Sequence, residues 1–539
     1  MLKPLLALLA LVGSVLFAGP ALAADCQALG TQTLATQALG GAHVVSAELI
    51  PAERMTTPVP GSVPVELDLP AFCRVKGIVA TSVGFEVWLP IQGWNGQILS
   101  VGSAGFGGEQ PLNGLAEGLR KGYAVTGNDT GHQGADPSWM KDPQKVRLWG
   151  HSATHLVTAP AKALVAAFYG APARRAYFAG CSTGGAQAME EAEFYPEDYD
   201  GVVAGAPGMS YAHLMMSFLW GLKATEPPGA IIPPDKLRLL HAAVLAACDG
   251  DDGLKDGLIS DPQACRFDLD SVTCKSAGAS TAQCLTLAEA RTARLIYDGP
   301  RNGATGALIY PGFAYGSEAD PSSANPMSYG WTAIQGRLAQ AFAIPLMRAM
   351  VYQDPSWDWR RFDWDKDVAE VDRRVGADIT ALRPDLRRFA AHGGKLVIYQ
   401  GWGDQLNGQA LPIEYRRTVI DALAATGRGV RAEHEVDGFL RVFMAPGMAH
   451  CMGGPGFATF DALSAVRRWV ESGAPPDRIL ASRALPAAPG ATGTRPLCAY
   501  PTSARYTGHG SADDAASFTC VSGKTAGQPR QGLVQGGRP

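Results

Sequence analysis

The chain has 539 residues, 46% of them hydrophobic and 18% charged, which excludes a disordered protein and exceeds what one simple core accommodates. A formal net charge of -4 excludes a broad polyanion-binding surface, so no nucleic-acid partner is expected.

The N-terminus carries Lys3, an apolar run from Leu5 to Phe17, and the small-x-small triplet Ala21-Leu22-Ala23. This pattern predicts a signal peptide over residues 1–23. The run falls short of the roughly 20 apolar residues that span a bilayer, and no later segment approaches that length. The expected location is secreted or periplasmic. The ten cysteines (Cys26, Cys73, Cys181, Cys248, Cys265, Cys274, Cys284, Cys451, Cys498 and Cys520) agree. An even count in an exported chain reads as disulfides, and no close CxxC pair marks a zinc site. Spacing alone leaves the pairing open. Cys248–Cys265, Cys274–Cys284 and Cys498–Cys520 are candidates because each closes a short loop.

Residues 75–205 alternate strand and helix signals: "GFEVWLPI", "NGQILSVG" and "YAVTGND" as strands, "SATHLVTAPAKALVAAFYG" as a helix, then "RRAYFAG", "GGAQAMEEAEFYPEDY" and "DGVVAGAP". Strands separated by helices predict a parallel, doubly wound sheet. After Pro207 the pattern changes to loops and short helices rich in Trp, Met, Pro and Gly. Near residue 395 it returns, with "GKLVIYQGWGD", "ALPIEYRRTVIDALAAT" and "LRVFMAPGMAH". The expected architecture is one α/β domain in two parts, 24–208 and 386–539, interrupted by an insertion over 209–385. The tail after Ser522 is rich in Gly and Gln and is expected to fray.

Gly180-Cys181-Ser182-Thr183-Gly184 fits G-x-S-x-G between a strand and a helix, where a sharp turn exposes the serine hydroxyl at the carboxyl edge of the sheet. Such a nucleophile needs a base, and the base an orienting acid. Asp404 and His450 each follow a strand signal, in the order Ser, Asp, His. Asp437 competes as the acid. Cys181 precedes the serine and Cys451 follows the histidine. A Cys181–Cys451 bridge would therefore tether nucleophile to base.

"GCSTGG", "GWGD" and "APGMAHC", with "NDTGH", "AAFYG", "FYPEDYDGVVAGAP" and "DPSWDW", resemble the tannase and feruloyl esterase family, which includes the hydrolase of mono(2-hydroxyethyl) terephthalate. The resemblance spans nearly the whole mature chain. It implies an α/β-hydrolase fold with an inserted lid, a cysteine-tethered Ser182–Asp404–His450 triad, and a Cys26–Cys73 bridge beside the four pairs named above.

An oxyanion hole needs two backbone N–H groups. Thr183, directly after the nucleophile, is one expected donor. The second is expected from "VGSAGFGG", residues 101–108, with Ala104 favoured and Gly105 next. In "CDGDDGLKDGLISDP" Asp249, Asp252 and Asp256 alternate with glycines, a set suited to a hard cation. The resemblance implies a structural Ca2+ held by those three side chains and the carbonyls of Leu254 and Leu258. In the insertion, Tyr329, Trp331, Phe342, Tyr352, Trp357, Trp359, Phe362 and Trp364 are candidates to stack on an aromatic acyl group, and Arg337, Arg348, Arg360 and Arg361 to pair with a carboxylate or phenol.

The reading is a secreted serine esterase acting through an acyl-enzyme on small aromatic esters, feruloyl or galloyl, of plant cell-wall or tannin origin. A terephthalate monoester hydrolase is the alternative. A non-catalytic, calcium-stabilised binding protein on the same scaffold is the alternative of another class.

Overall fold

The computed structural model describes residues 26–31, 40–57, 65–275, 281–319, 330–484 and 490–523. The expected signal peptide, Tyr329 and the tail beyond residue 523 lie outside the described residues.

Nine strands form one sheet: β1 (His43–Ile50), β2 (Phe72–Val79), β3 (Val83–Pro90), β4 (Gln97–Val101), β5 (Ala124–Asn128), β6 (Arg175–Cys181), β7 (Gly201–Gly205), β8 (Lys395–Gly401) and β9 (Leu440–Ala445). Their order is β1-β2-β3-β5-β4-β6-β7-β8-β9. The six strands from β5 to β9 are parallel, as the strand–helix alternation predicts. The other edge differs from that expectation, because β1, β2 and β3 run antiparallel to their neighbours. The reason is connection length. Parallel neighbours need a crossover of a dozen or more residues, whereas only residues 80–82 join β2 to β3, with Ala80 and Thr81 at positive φ in the turn.

Alternate residues of the parallel strands feed two cores. In β8, Leu396 and Ile398 pack on one face of the sheet while Val397 packs on the other. In β6, Phe178 and Tyr177 divide in the same way. Both faces are thus covered, the condition that makes parallel strands read as continuous apolar runs. The helix Ala153–Tyr169 on one side ends at Gly170, whose φ of 72° provides the left-handed cap that stops it.

Residues 206–394 run between the adjacent strands β7 and β8. Their ends meet: the Ala381 N–H donates to the Met209 carbonyl at 2.7 Å, and Ser210 bridges Thr380. An excursion that leaves and re-enters at one point adds a layer without disturbing the register of β7 with β8. Five disulfides hold the chain: Cys26–Cys73, Cys181–Cys451, Cys248–Cys265, Cys274–Cys284 and Cys498–Cys520. Among the described residues no helix is long and apolar enough to cross a membrane.

Candidate active site

Ser182 stands between β6 and the helix Thr183–Phe194, with φ 62° and ψ -120°. A non-glycine residue adopts that backbone at a cost of order 1–3 kcal/mol, so its surroundings must hold it there. They do so in two ways. The Ser182 N–H donates to the Gly205 carbonyl at 3.0 Å, and its carbonyl accepts from Ala186 at 3.0 Å and Gly208 at 3.1 Å. The turn also closes too tightly for side chains. A Cβ on Gly180 would sit 2.4 Å from the Gly184 carbonyl oxygen, and one on Gly185 2.3 Å from that of Gly205.

Asp404 follows β8 and His450 follows β9, so all three residues lie at the carboxyl edge of parallel strands. His450 Nδ1 lies 2.8 Å from Asp404 Oδ2. Asp404 is fully buried, and its charge is compensated. Oδ1 accepts from the N–H groups of Leu406 at 2.7 Å and Asn407 at 3.0 Å, and Oδ2 also accepts from the Gln400 amide at 2.8 Å. These donors satisfy the oxygens of the buried carboxyl without free water. The acceptor geometry fixes Nδ1 as the protonated imidazole nitrogen. Nε2 is then the basic nitrogen; it is buried and has no hydrogen-bond partner among the described residues. The competing acid Asp437 lies elsewhere, paired with the buried guanidinium of Arg416 at 2.7 Å.

The Cys181–Cys451 bridge holds Cα atoms 5.9 Å apart, between the residue before Ser182 and the residue after His450. The acid and histidine loops are stitched as well. Gly403 N–H donates to Met448 O at 2.9 Å, and His450 N–H to Gln405 Oε1 at 3.3 Å. Gln400, Gln405 and Asn407 carry no motif of their own. Their one sequence signal is proximity to an acid at a strand end.

The loop after β4 folds over the start of the serine helix. Gly102 N–H donates to Ala179 O at 3.0 Å, and Gln187 holds Ser103 through its backbone N–H at 2.9 Å and its hydroxyl at 3.0 Å. Gly102 and Gly184 lie so close that a Cβ on Gly102 would come within 2.5 Å of the Gly184 Cα. This brings Ala104 and Gly105 beside Thr183, whose hydroxyl donates to the Gly105 carbonyl at 2.6 Å.

Of the aromatic candidates in the insertion, Trp331, Phe362 and Trp364 are core residues, and Tyr352 stacks on Trp357 at 4.9 Å. Among the described candidates Phe342 alone has a ring contact with the loop, 5.4 Å from Phe106, which carries no motif of its own. Trp359 lines a separate groove of about 590 Å³ with Arg337 and Arg360. Arg348 donates to the Trp357 carbonyl and Arg360 pairs with Glu226 and Asp358.

Asp249, Asp252 and Asp256 share one turn, but among the described residues no three acidic, histidine or cysteine side chains converge to hold a metal. Asp249 instead accepts from the N–H groups of Asp256, Gly257 and Leu258. Asp252 accepts from Leu254 N–H and the Ser260 hydroxyl, and burial pushes its carboxyl up. Asp256 pairs at 2.6 Å with Arg495, which is buried between Phe457 and Phe518. The donor set is all oxygen, the chemistry a hard cation takes.

The family model described as tannase and feruloyl esterase matches residues 69–521. An uncharacterized esterase of Xanthomonas campestris is 36% identical, covering 96% of this chain and 95% of its own length. The mono(2-hydroxyethyl) terephthalate hydrolase of Piscinibacter sakaiensis is 30% identical, over 84% of this chain and 85% of that protein. The crystal structure of feruloyl esterase B from Aspergillus oryzae superposes with a TM-score of 0.80 at 27% identity, over 92% of this chain and 100% of that one.

Proposed function

Because the chain belongs to the tannase and feruloyl esterase family of carboxylic ester hydrolases, we propose that it cleaves aromatic acid esters through a serine nucleophile. In this reading the nine-stranded sheet is an α/β-hydrolase fold and residues 209–385 are its lid. The observation that carries the proposal is the buried hydrogen bond between His450 Nδ1 and Asp404, with Nε2 left unpartnered. A non-catalytic binding protein has no use for such an arrangement, because burying a charge with an unsatisfied ring nitrogen costs stability.

In the reaction, Nε2 of His450 takes the Ser182 proton as the hydroxyl oxygen attacks the ester carbonyl. Asp404 holds the tautomer and stabilises the imidazolium. The Thr183 N–H and one from Ala104 or Gly105 stabilise the oxyanion. The alcohol leaves with the proton from His450, and water then attacks the acyl-enzyme through the same base.

The acyl group is proposed to be a hydroxycinnamate or gallate, with Phe106 and Phe342 as the aromatic surface nearest the oxyanion loop. A terephthalate monoester is the second reading, favoured by 30% identity to an enzyme named for that substrate. The chain is read as exported, on its signal-like N-terminus and five disulfides. The 249–258 loop is read as a structural Ca2+ site, held by Asp249, Asp252, Asp256 and the carbonyls of Leu254 and Leu258. The ion would offset the mutual repulsion of Asp252 and Asp256.

Two measurements test the central reading. A fluorophosphonate should label the protein once, at Ser182, as read by peptide mapping. Turnover of methyl ferulate, methyl gallate and mono(2-hydroxyethyl) terephthalate then ranks the acyl groups. A folded protein that takes no label and hydrolyses none of the three is not a serine esterase of this kind.

A further inference from the structure

The helix that follows Ser182 reaches the 101–108 loop with two side chains. Thr183 and Gln187 are four residues apart, so they lie on one face of the helix Thr183–Phe194. The Thr183 hydroxyl donates to the Gly105 carbonyl at 2.6 Å. Gln187 grips Ser103 twice. Its Oε1 accepts from the Ser103 N–H at 2.9 Å, and its amide nitrogen donates to the Ser103 hydroxyl at 3.0 Å. The contacts of the two side chains bracket Ala104 in the sequence.

The chemistry of the grip suits a glutamine. A backbone N–H can only donate, so Oε1 faces it, and the Nε2 hydrogens are left for the hydroxyl. Two bonds from one planar amide fix the direction of the Ser103 backbone as well as its distance. Both partners are shielded from water, with Ser103 6% and Gln187 5% exposed, whereas Ala104 is exposed. The grip therefore sits on the last buried residue before the loop emerges.

Beyond that point the backbone has little restraint of its own. Gly105, Gly107 and Gly108 adopt φ 54°, 74° and 89°, and glycines sample many other conformations. The far end of the loop is tied where the Gly108 N–H donates to the Asp129 carbonyl at 3.1 Å. The near end, on the donor's own side, is tied by Gln187.

We propose that Gln187 is a positioning residue whose amide sets the backbone N–H at 104–105 that serves as the second oxyanion donor. One helix then builds both halves of the hole: the Thr183 N–H at its start and, through a side chain one turn further on, the donor of the facing loop. The proposal rests on the esterase reading above.

The test compares Gln187→Met and Gln187→Asn with the parent enzyme. Methionine keeps the length and removes both bonds. Asparagine keeps the amide but draws it back by one methylene, which supplies a polar variant should the methionine one fail to fold. Four quantities are read: kcat and KM on the best ester, Ki for an arylboronic acid, Ki for the free aromatic acid, and the unfolding midpoint. The boronate forms a tetrahedral adduct that puts an oxygen in the hole, while the free acid does not require it. Deleting an oxyanion donor costs about 10²–10³ in kcat, so misplacing one is expected to cost about 10- to 100-fold. Both variants should show that loss with KM within about twofold, and boronate Ki should rise in parallel while product Ki stays. Folded variants with parental kcat and boronate affinity would overturn the proposal, as would equal weakening of boronate and product acid. A Ser182→Ala control separates the two levels. Activity surviving in that variant removes the esterase reading itself, whereas a dead control beside an unaffected Gln187→Met removes the positioning role alone.

Discussion

Cys181 and Cys451 are joined across 270 residues, and each is the immediate neighbour of one member of the Ser182–His450 pair. The loop they close contains the whole insertion. In the chain-entropy account, opening a loop of this length costs about 5 kcal/mol. The Cys181→Ala/Cys451→Ala double variant should lose stability of that order in urea unfolding. If Ser182 and His450 act as proposed, its kcat should fall further than its KM rises, because the bridge fixes the spacing of the two residues. An unchanged unfolding midpoint would show that the bridge is not a structural restraint.

Asp404 and Asp437 make opposite predictions. Asp404→Asn keeps the shape but lets the amide impose the wrong tautomer on His450, and kcat should fall by about 10³–10⁴. Asp437→Asn breaks a partly buried pair with Arg416, so it should lower the melting temperature and leave kcat close to parental. Steady-state kinetics and thermal unfolding of the two variants decide between these assignments.

The helix behind Ser182 carries a set of buried acids. Burial pushes the carboxyls of Glu190 and Glu191 well above their ordinary 4.5, and each has a buried oxygen without a partner among the described residues. Glu193 faces Glu190, and burial raises it to about 8. Asp198 and Lys162 face Glu191, and His155 pairs with Asp198 at 2.6 Å. The unfolded chain releases these protons near pH 4.5 while the folded chain retains them. Folding therefore takes up protons as pH rises above that value, and stability declines until the folded groups ionise. The melting temperature should fall progressively from about pH 5 to beyond pH 8. Glu190→Gln and Glu191→Gln, neutral at every pH, should flatten that decline. A melting temperature that rises through the same range would contradict it.

The acidic loop gives a prediction with a readout independent of catalysis. After treatment with a chelator, added Ca2+ should raise the melting temperature, corresponding to about 2.7 kcal/mol when the ion is at 100 times its Kd. Asp252→Asn should abolish that response. Asp249→Ala should destabilise the protein even without the ion, because the Asp256 and Gly257 N–H groups lose their acceptor and the Leu258 N–H keeps only Asp256. No shift on restoring Ca2+ to the chelated protein would remove the metal proposal.

What the chain determines by itself is local. The Gly180–Gly185 segment announces a tight turn because glycines sit where a Cβ would strike backbone. The return of strand–helix alternation near residue 395 suggests an insertion from the sequence; the structure pairs Ser210 with Thr380. Cysteines beside Ser182 and His450 single these residues out before any contact is known. Tertiary structure decided the rest: that Asp404 rather than Asp437 meets His450, that Phe342 rather than Trp331 reaches the 101–108 loop, and that the Thr183 hydroxyl meets the Gly105 carbonyl. It also decided that one edge of the sheet is antiparallel and that Glu190 and Glu191 are buried. The physical reason is one of range. Turn sterics and side-chain periodicity act over a few residues and can be read along the chain, whereas a partner 46 or 78 residues away depends on which two surfaces pack together.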